Sequence, residues 1–98
     1  MFIVMHLYER DMMMIGKYDT IDKARFAMHK DVILVMEETS QSVDWIEEVR
    51  NIVNGQQFND DFNYYDDFDY YDNEMGISSK SAWAHFRGEN YDWEIFEI

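Results

Sequence analysis

Few side chains in this chain could do covalent or acid–base chemistry. Cysteine is absent, so thiolate catalysis, disulfides and Cys-ligated zinc or iron–sulfur sites are excluded. None of the five serines lies in a Gly-x-Ser-x-Gly elbow. Ser40 and Ser42 suit a helix cap, and Ser78, Ser79 and Ser81 suit the entry to a strand. His6, His29 and His85 fall on three separate elements, and nothing in their spacing demands a metal. Glu37-Glu38 and Glu47-Glu48 resemble carboxylate pairs. Neighbours on a helix point about 100° apart, so each pair reads as a solvated face rather than an acid/base dyad. Calcium chemistry fails on spacing. From Asp61 the alternate positions give Asn63 and Tyr65, and from Asp67 they give Asp69 and Tyr71. Neither series has the third ligand or the glycine turn of an EF-hand loop. The expectation is a protein that is not an enzyme, with no cofactor and no metal.

One segment does carry a distinctive chemistry. Residues 59–75 hold seven acids and six aromatics in seventeen positions. The acids are Asp60, Asp61, Asp66, Asp67, Asp69, Asp72 and Glu74. No Lys, Arg or His occurs between Arg50 and Lys80, across 29 residues. A disordered acidic tail is poor in aromatics, so this segment reads differently. Phe62, Tyr65, Phe68 and Tyr71 recur every three residues. That spacing predicts a turn or short irregular helix anchored to the core, with carboxylates and tyrosine hydroxyls facing water. Aspartate is a poor interior helix former, so the anchoring must drive it. Concentrated like charge costs stability through self-repulsion, and solubility alone does not require it. Tyrosine adds rigid, low-entropy contact area of the kind interfaces use. The expected partner-binding residues are Asp60, Asp61, Tyr64, Asp66, Asp67, Asp69, Tyr70, Asp72 and Glu74. Their expected partner is a strongly basic cleft, and the commonest such clefts bind nucleic acid. The bland alternative is a solvated acidic loop.

The whole chain supports an acidic partner-binding role. It has 98 residues, 21 acids against 8 Lys and Arg, and a net charge of −13. Such a field repels nucleic acid and anionic membranes, so direct binding to either is not expected. Residues 1–50 carry a net −4 and residues 51–98 a net −9. Apolar residues make up 47% and aromatics 17%, too many for a disordered chain. A chain of this length buries roughly two-thirds of its unfolded surface in one modest core, so one domain over 1–98 is expected. No signal-peptide pattern and no apolar run near ~18 residues is present, which points to a cytoplasmic protein.

The elements that must position these residues follow from periodicity. Residues 2–8 read as a strand, Glu9-Arg10-Asp11 as a break, and Met12 to Tyr18 as a hairpin partner. Asp19 or Thr20 offers an N-cap, and Ile21, Ala24, Met28, Val32 and Val35 share one helical face. Residues 32–36 are five consecutive apolar residues and could form a strand. With no turn residue before them, continuation of the helix is favoured. Ser40 or Ser42 caps a second helix with the stripe Val43, Ile46, Val49 and Val53, stopped at Asn54-Gly55. Ile77 to Phe86 reads as a third strand, Gly88-Glu89-Asn90 as a turn and Tyr91 to Ile98 as a fourth strand. There Tyr91, Trp93 and Ile95 alternate with Asp92 and Glu94. The predicted class is α+β, a small antiparallel sheet of about four strands with two helices.

In size, charge and its 60–74 cluster, the chain resembles the small, cysteine-free, acidic inhibitors encoded by bacteriophages. These include DNA-mimic anti-restriction proteins, uracil-DNA glycosylase inhibitors and anti-CRISPR proteins. The first thirty residues and the Trp93-Glu94-Ile95 ending also resemble short phage proteins of low-GC Gram-positive hosts. These inhibitor families share no motif, so the resemblance assigns no individual residue. It implies a stoichiometric inhibitor, foremost an anti-CRISPR protein, acting in a bacterial cytoplasm as a monomer or small homo-oligomer. Its partner would be a Cas nuclease or another host-defence enzyme. Two alternatives stay open: an antitoxin or immunity protein covering a basic nuclease site, and a phage structural protein with an incidental acidic loop.

Overall fold

The computed structural model describes residues 1–55 and 73–98 and the backbone course of 63–67. In chain order the elements are β1 (Phe2–Tyr8), β2 (Asp11–Tyr18), α1 (Ile21–Glu38), α2 (Val43–Gly55), β3 (Asn63–Asp67), β4 (Asn73–Ile77), β5 (Ser81–Phe86) and β6 (Glu89–Glu97). The strands form one antiparallel sheet in the order β2-β1-β6-β5-β4-β3. The fold is therefore α+β, as the periodicities predict. The first and last strands pair inside the sheet, second and third in that order. The helical pair carries the chain from one sheet edge, β2, to the other, β3.

Local chemistry explains the boundaries. Thr20 Oγ1 accepts the Lys23 N–H at 3.2 Å and caps α1, while Asp19 pairs with Lys23 at 3.0 Å. Residues 32–36 continue the helix. Val32, Val35 and Met36 point inward with Ala24 and Met28, while Leu34 is exposed on the outer side. The run is apolar on both sides of one helix, which is why periodicity alone left it ambiguous. Ser42, not Ser40, caps α2, its Oγ accepting the Trp45 N–H at 3.2 Å. Ile46 and Val49 are buried as expected, but Val43 is 75% exposed. Trp45 replaces it, meeting Phe86 edge-on at a centroid distance of 5.8 Å. Both helices cover the same face of the sheet. Burying each large side chain there contributes about 1.5–3 kcal/mol. Among the described residues no helix is long and apolar enough to cross a membrane.

Two expectations about the second half are corrected. The acidic-aromatic segment is not helical where it is described: residues 63–67 form β3, and β4 begins at Asn73. Anchors every three residues cannot share one side of a strand, whose period is two. Pairing with β4 gives the backbone the partners that an Asp-rich helix would supply poorly. The stretch expected as one strand, Ile77 to Phe86, is two. Ser78 Oγ accepts the Ser81 N–H at 3.1 Å, and the Ser78 N–H donates to the Ser81 carbonyl at 2.9 Å. That side-chain bond turns the chain between β4 and β5. The sheet thus has six strands rather than about four. The last turn also shifts: Arg87 (φ 54°) and Gly88 (φ 83°) form a two-residue hairpin loop, and Glu89 already pairs with Phe86.

Candidate protein-binding surface

The partner-binding residues the sequence singles out fall into three groups. Asp60, Asp61, Asp69, Tyr70 and Asp72 lie outside the described residues. Tyr64, Asp66 and Asp67 lie on β3, an edge strand, at register positions opposite Gly76, Glu74 and Asn73. Glu74 lies on β4, half-buried, opposite His85 of β5. His85 Nδ1 in turn stands 2.9 Å from Asn90 Oδ1 on β6. One row across the sheet therefore reads Asp66, Glu74, His85, Asn90. Opposed positions on neighbouring strands lie about 4.5–5.5 Å apart at Cβ, and like charges there destabilise the pairing. Asn73, inside the acidic segment, has a structural role that the sequence reading missed. It is buried, and its Oδ1 accepts the Arg87 N–H at 2.8 Å, tying β4 to the β5–β6 turn.

The two faces of the sheet differ in chemistry. Val4, His6, Ala82, Ala84, Phe86, Tyr91, Trp93 and Ile95 are buried on the helix side. Strand alternation then places Ile3, Met5, Leu7, Trp83, Asp92, Glu94 and Phe96 on the helix-free side. Register extends that side onto β2, where Met14 pairs with Met5 and Met12 with Leu7. Ile15 is the extra residue of a bulge, since Val4 pairs with Gly16. The carboxylates of Asp92 and Glu94 stand exposed between an aliphatic flank on β1 and β2 and Trp83 on β5.

The histidines do not converge. His6 is 8% exposed, with Nδ1 3.0 Å from Asp31 Oδ2. The same oxygen accepts the Trp93 Nε1–H at 2.8 Å. An ionised carboxylate only accepts, so the His6 proton sits on Nδ1. The ring stacks on Trp93 at 4.8 Å, and Nε2 has no hydrogen-bond partner among the described residues. Burial pulls the Asp31 carboxyl upward, but the bonds from His6 and Trp93 outweigh it and hold it below its ordinary value. The sequence signal was partial: His6 is the one polar residue within an apolar strand, while Asp31 sits beside His29 and Lys30 and does not stand out. His29 is buried against the Ser78 carbonyl, 3.1 Å from Nε2, and burial pushes its pKa down. Burial and a 3.2 Å bond to Glu89 push the Tyr91 hydroxyl up to about 12. The His6–Asp31–Trp93 bonds tie β1 and β6 to α1, and the His29–Ser78 bond ties α1 to the turn after β4.

No family model, no curated protein and no solved structure matches this chain.

Proposed function

We propose that the protein is a stoichiometric, non-enzymatic inhibitor that offers carboxylates to the basic nucleic-acid-binding cleft of a host-defence nuclease. In its most specific form it is an anti-CRISPR protein that blocks DNA binding by a Cas effector in the bacterial cytoplasm. The observation that carries this reading is the edge hairpin. A 29-residue interval without a cation supplies β3 and β4, and their register sets Asp66 opposite Glu74. Acids carried on a strand start from an ordered backbone, so a cationic cleft gains their attraction at a lower ordering cost. Close charge pairs at such interfaces couple by about 1.5–7 kcal/mol, and their field speeds association.

The test replaces Asp66, Asp67, Asp69 and Asp72 with Asn, which keeps shape and removes four charges. Protein captured from a host lysate by the parent at low salt should be a basic nucleic-acid-binding protein, released at high salt. Duplex DNA and the inhibitor should exclude each other on it, and inhibition should saturate near an equimolar ratio. The quadruple variant should bind at least tenfold more weakly, chiefly through slower association. Equal inhibition by the variant, or simultaneous binding of DNA and inhibitor, overturns the reading.

A further inference from the structure

The helix-free face of the sheet is not an ordinary solvated face. β1 is apolar at every position but His6, and its residues 3, 5 and 7 are half-buried on the side that no helix covers. A strand apolar on both faces is the pattern of one covered on both faces. Beside it Met12 and Met14 are 64% and 50% exposed, and Phe96 is 46% exposed. Together they extend the patch to the β2 edge. Contiguous apolar surface rimmed by charge marks an interaction site. Methionine suits one because its unbranched side chain adapts to a partner.

Charge selects the occupant. Asp92 and Glu94 project from the middle of this face, and neither has an ion-pair partner among the described residues. A second copy packed on it would add another net charge of −13 to a face that already exposes two carboxylates, with Lys17 beside Ile3 as a cation on β2. A partner that places cations between apolar side chains meets the opposite situation. Asp92 and Glu94 are two apart on one strand, about 6.8 Å. Cations four apart on a helix are spaced by about 6 Å. We propose that this face docks a basic amphipathic helix of a protein partner. Its arginines or lysines would cover Asp92 and Glu94, and its apolar stripe would cover Ile3, Met5 and Met14. The proposal rests on the inhibitor reading for the partner's basic character. It moves the centre of contact from the acidic edge to the sheet face.

The test needs no knowledge of the target. The probe is a synthetic helical peptide with leucine at i, i+3, i+4 and i+7 and arginines flanking that stripe. A scrambled peptide of the same composition and a version with glutamate in place of arginine serve as controls. Trp83 lies on this face and Trp45 and Trp93 lie on the other, so the fluorescence change should vanish in Trp83→Phe. Backbone amide shifts should cluster at Ile3, Met5, Met14, Asp92 and Glu94. Asp92→Asn with Glu94→Gln should weaken binding at least tenfold and flatten its salt dependence. Met14→Lys, at an exposed position, should weaken it at least fivefold. The quadruple Asn variant of the hairpin should bind the peptide within twofold of the parent, which separates this proposal from the inhibitor reading. Equal binding of the scrambled peptide, shifts centred on α1, no binding at all, or self-association through this face would each overturn it.

Discussion

The two faces of the sheet bury similar side chains and use them differently. On the helix side, Trp93 is 1% exposed and its Nε1–H is bonded to Asp31. On the other side, Trp83 is half-buried and shares its register row with Asp92 and Gly76. The helix side keeps its polar atoms few and almost all paired, as a core must, because an unpaired buried group costs about 1–3 kcal/mol. The helix-free side leaves the Asp92 and Glu94 carboxylates exposed beside apolar carbon. The contrast teaches that the acidic character of this chain is not spread evenly. The helix side of the sheet takes the Asp31 carboxylate only with two N–H donors on it, whereas Asp92 and Glu94 stand exposed on the other face.

The largest effect should separate the two tryptophans. Trp93→Ala removes a fully buried ring and frees the carboxylate it bonds, so it should cost about 3–5 kcal/mol. Trp83→Ala should cost less than half as much. Urea denaturation of both variants, fitted with a common m-value, checks this. Equal losses would mean that both faces are core and that the helix-free face has no surface to offer.

Next in size is Asp31→Ala, which leaves His6 Nδ1 and Trp93 Nε1 without their acceptor. A loss of about 1–3 kcal/mol for each stranded group is expected. Asp31→Asn should recover part of it, because an amide oxygen in the place of Asp31 Oδ2 still accepts from both N–H groups, without the charge. The acid limb of stability should change as well. The Asp31 carboxyl is held below its ordinary value of 3.8, so its contribution is present above that pH and lost as pH falls through the lower folded value. The Asn variant should lack that component. If both variants match the parent in denaturation midpoint, the bridge between β1, β6 and α1 contributes nothing.

How far the sequence foretold these faces depends on the element. The alternation of Tyr91, Trp93 and Ile95 with Asp92 and Glu94 fixes both faces of β6, and the structure follows it. The cap at Thr20 and the hairpin of β1 with β2 were equally legible, because each rests on contacts within a few residues. The β3–β4 hairpin was not. Its aromatics at intervals of three mimic an anchored helix, and the pairing partner that decides otherwise lies about ten residues away. The split of β4 from β5 depended on one serine hydroxyl competing for a backbone N–H, which composition does not reveal. Of the two proposed contact surfaces, the acidic edge is visible in the sequence as a charge run. The helix-free face was not, because Asp92 and Glu94 became its centre only once β1 and β5 stood on either side.

A smaller effect should come from His29. Burial lowers its pKa from 6.5, so the folded protein favours the neutral ring while the unfolded chain protonates near the ordinary value. The stability this supplies is present above pH 6.5 and lost as pH falls through the lower folded value. His29→Gln keeps a donor for the Ser78 carbonyl and removes the titration. The difference in stability between parent and variant should be flat above pH 6.5 and shift against the parent below it. A difference that stays constant down to pH 5 would show that His29 is as solvated as an unfolded histidine.

The smallest effect should come from the carboxylates of the helix-free face, and it sharpens the comparison most. Asp92→Asn with Glu94→Gln removes two of the 21 acids without changing shape. Both residues are exposed and outside any ion pair among the described residues. Surface changes of this kind usually stay within about 0.5 kcal/mol. Here the sign should be neutral or stabilising, because the folded state holds its like charges closer together than the unfolded chain does. Added salt screens that repulsion, so any gain over the parent should shrink as ionic strength rises. Urea midpoints of parent and variant at low and at high salt provide the measurement. A stabilising difference that fades with salt identifies carboxylates kept against the interest of the monomer. A midpoint that drops in the variant at both salt concentrations would mean that Asp92 and Glu94 hold the sheet together, and that this face serves the fold rather than a partner.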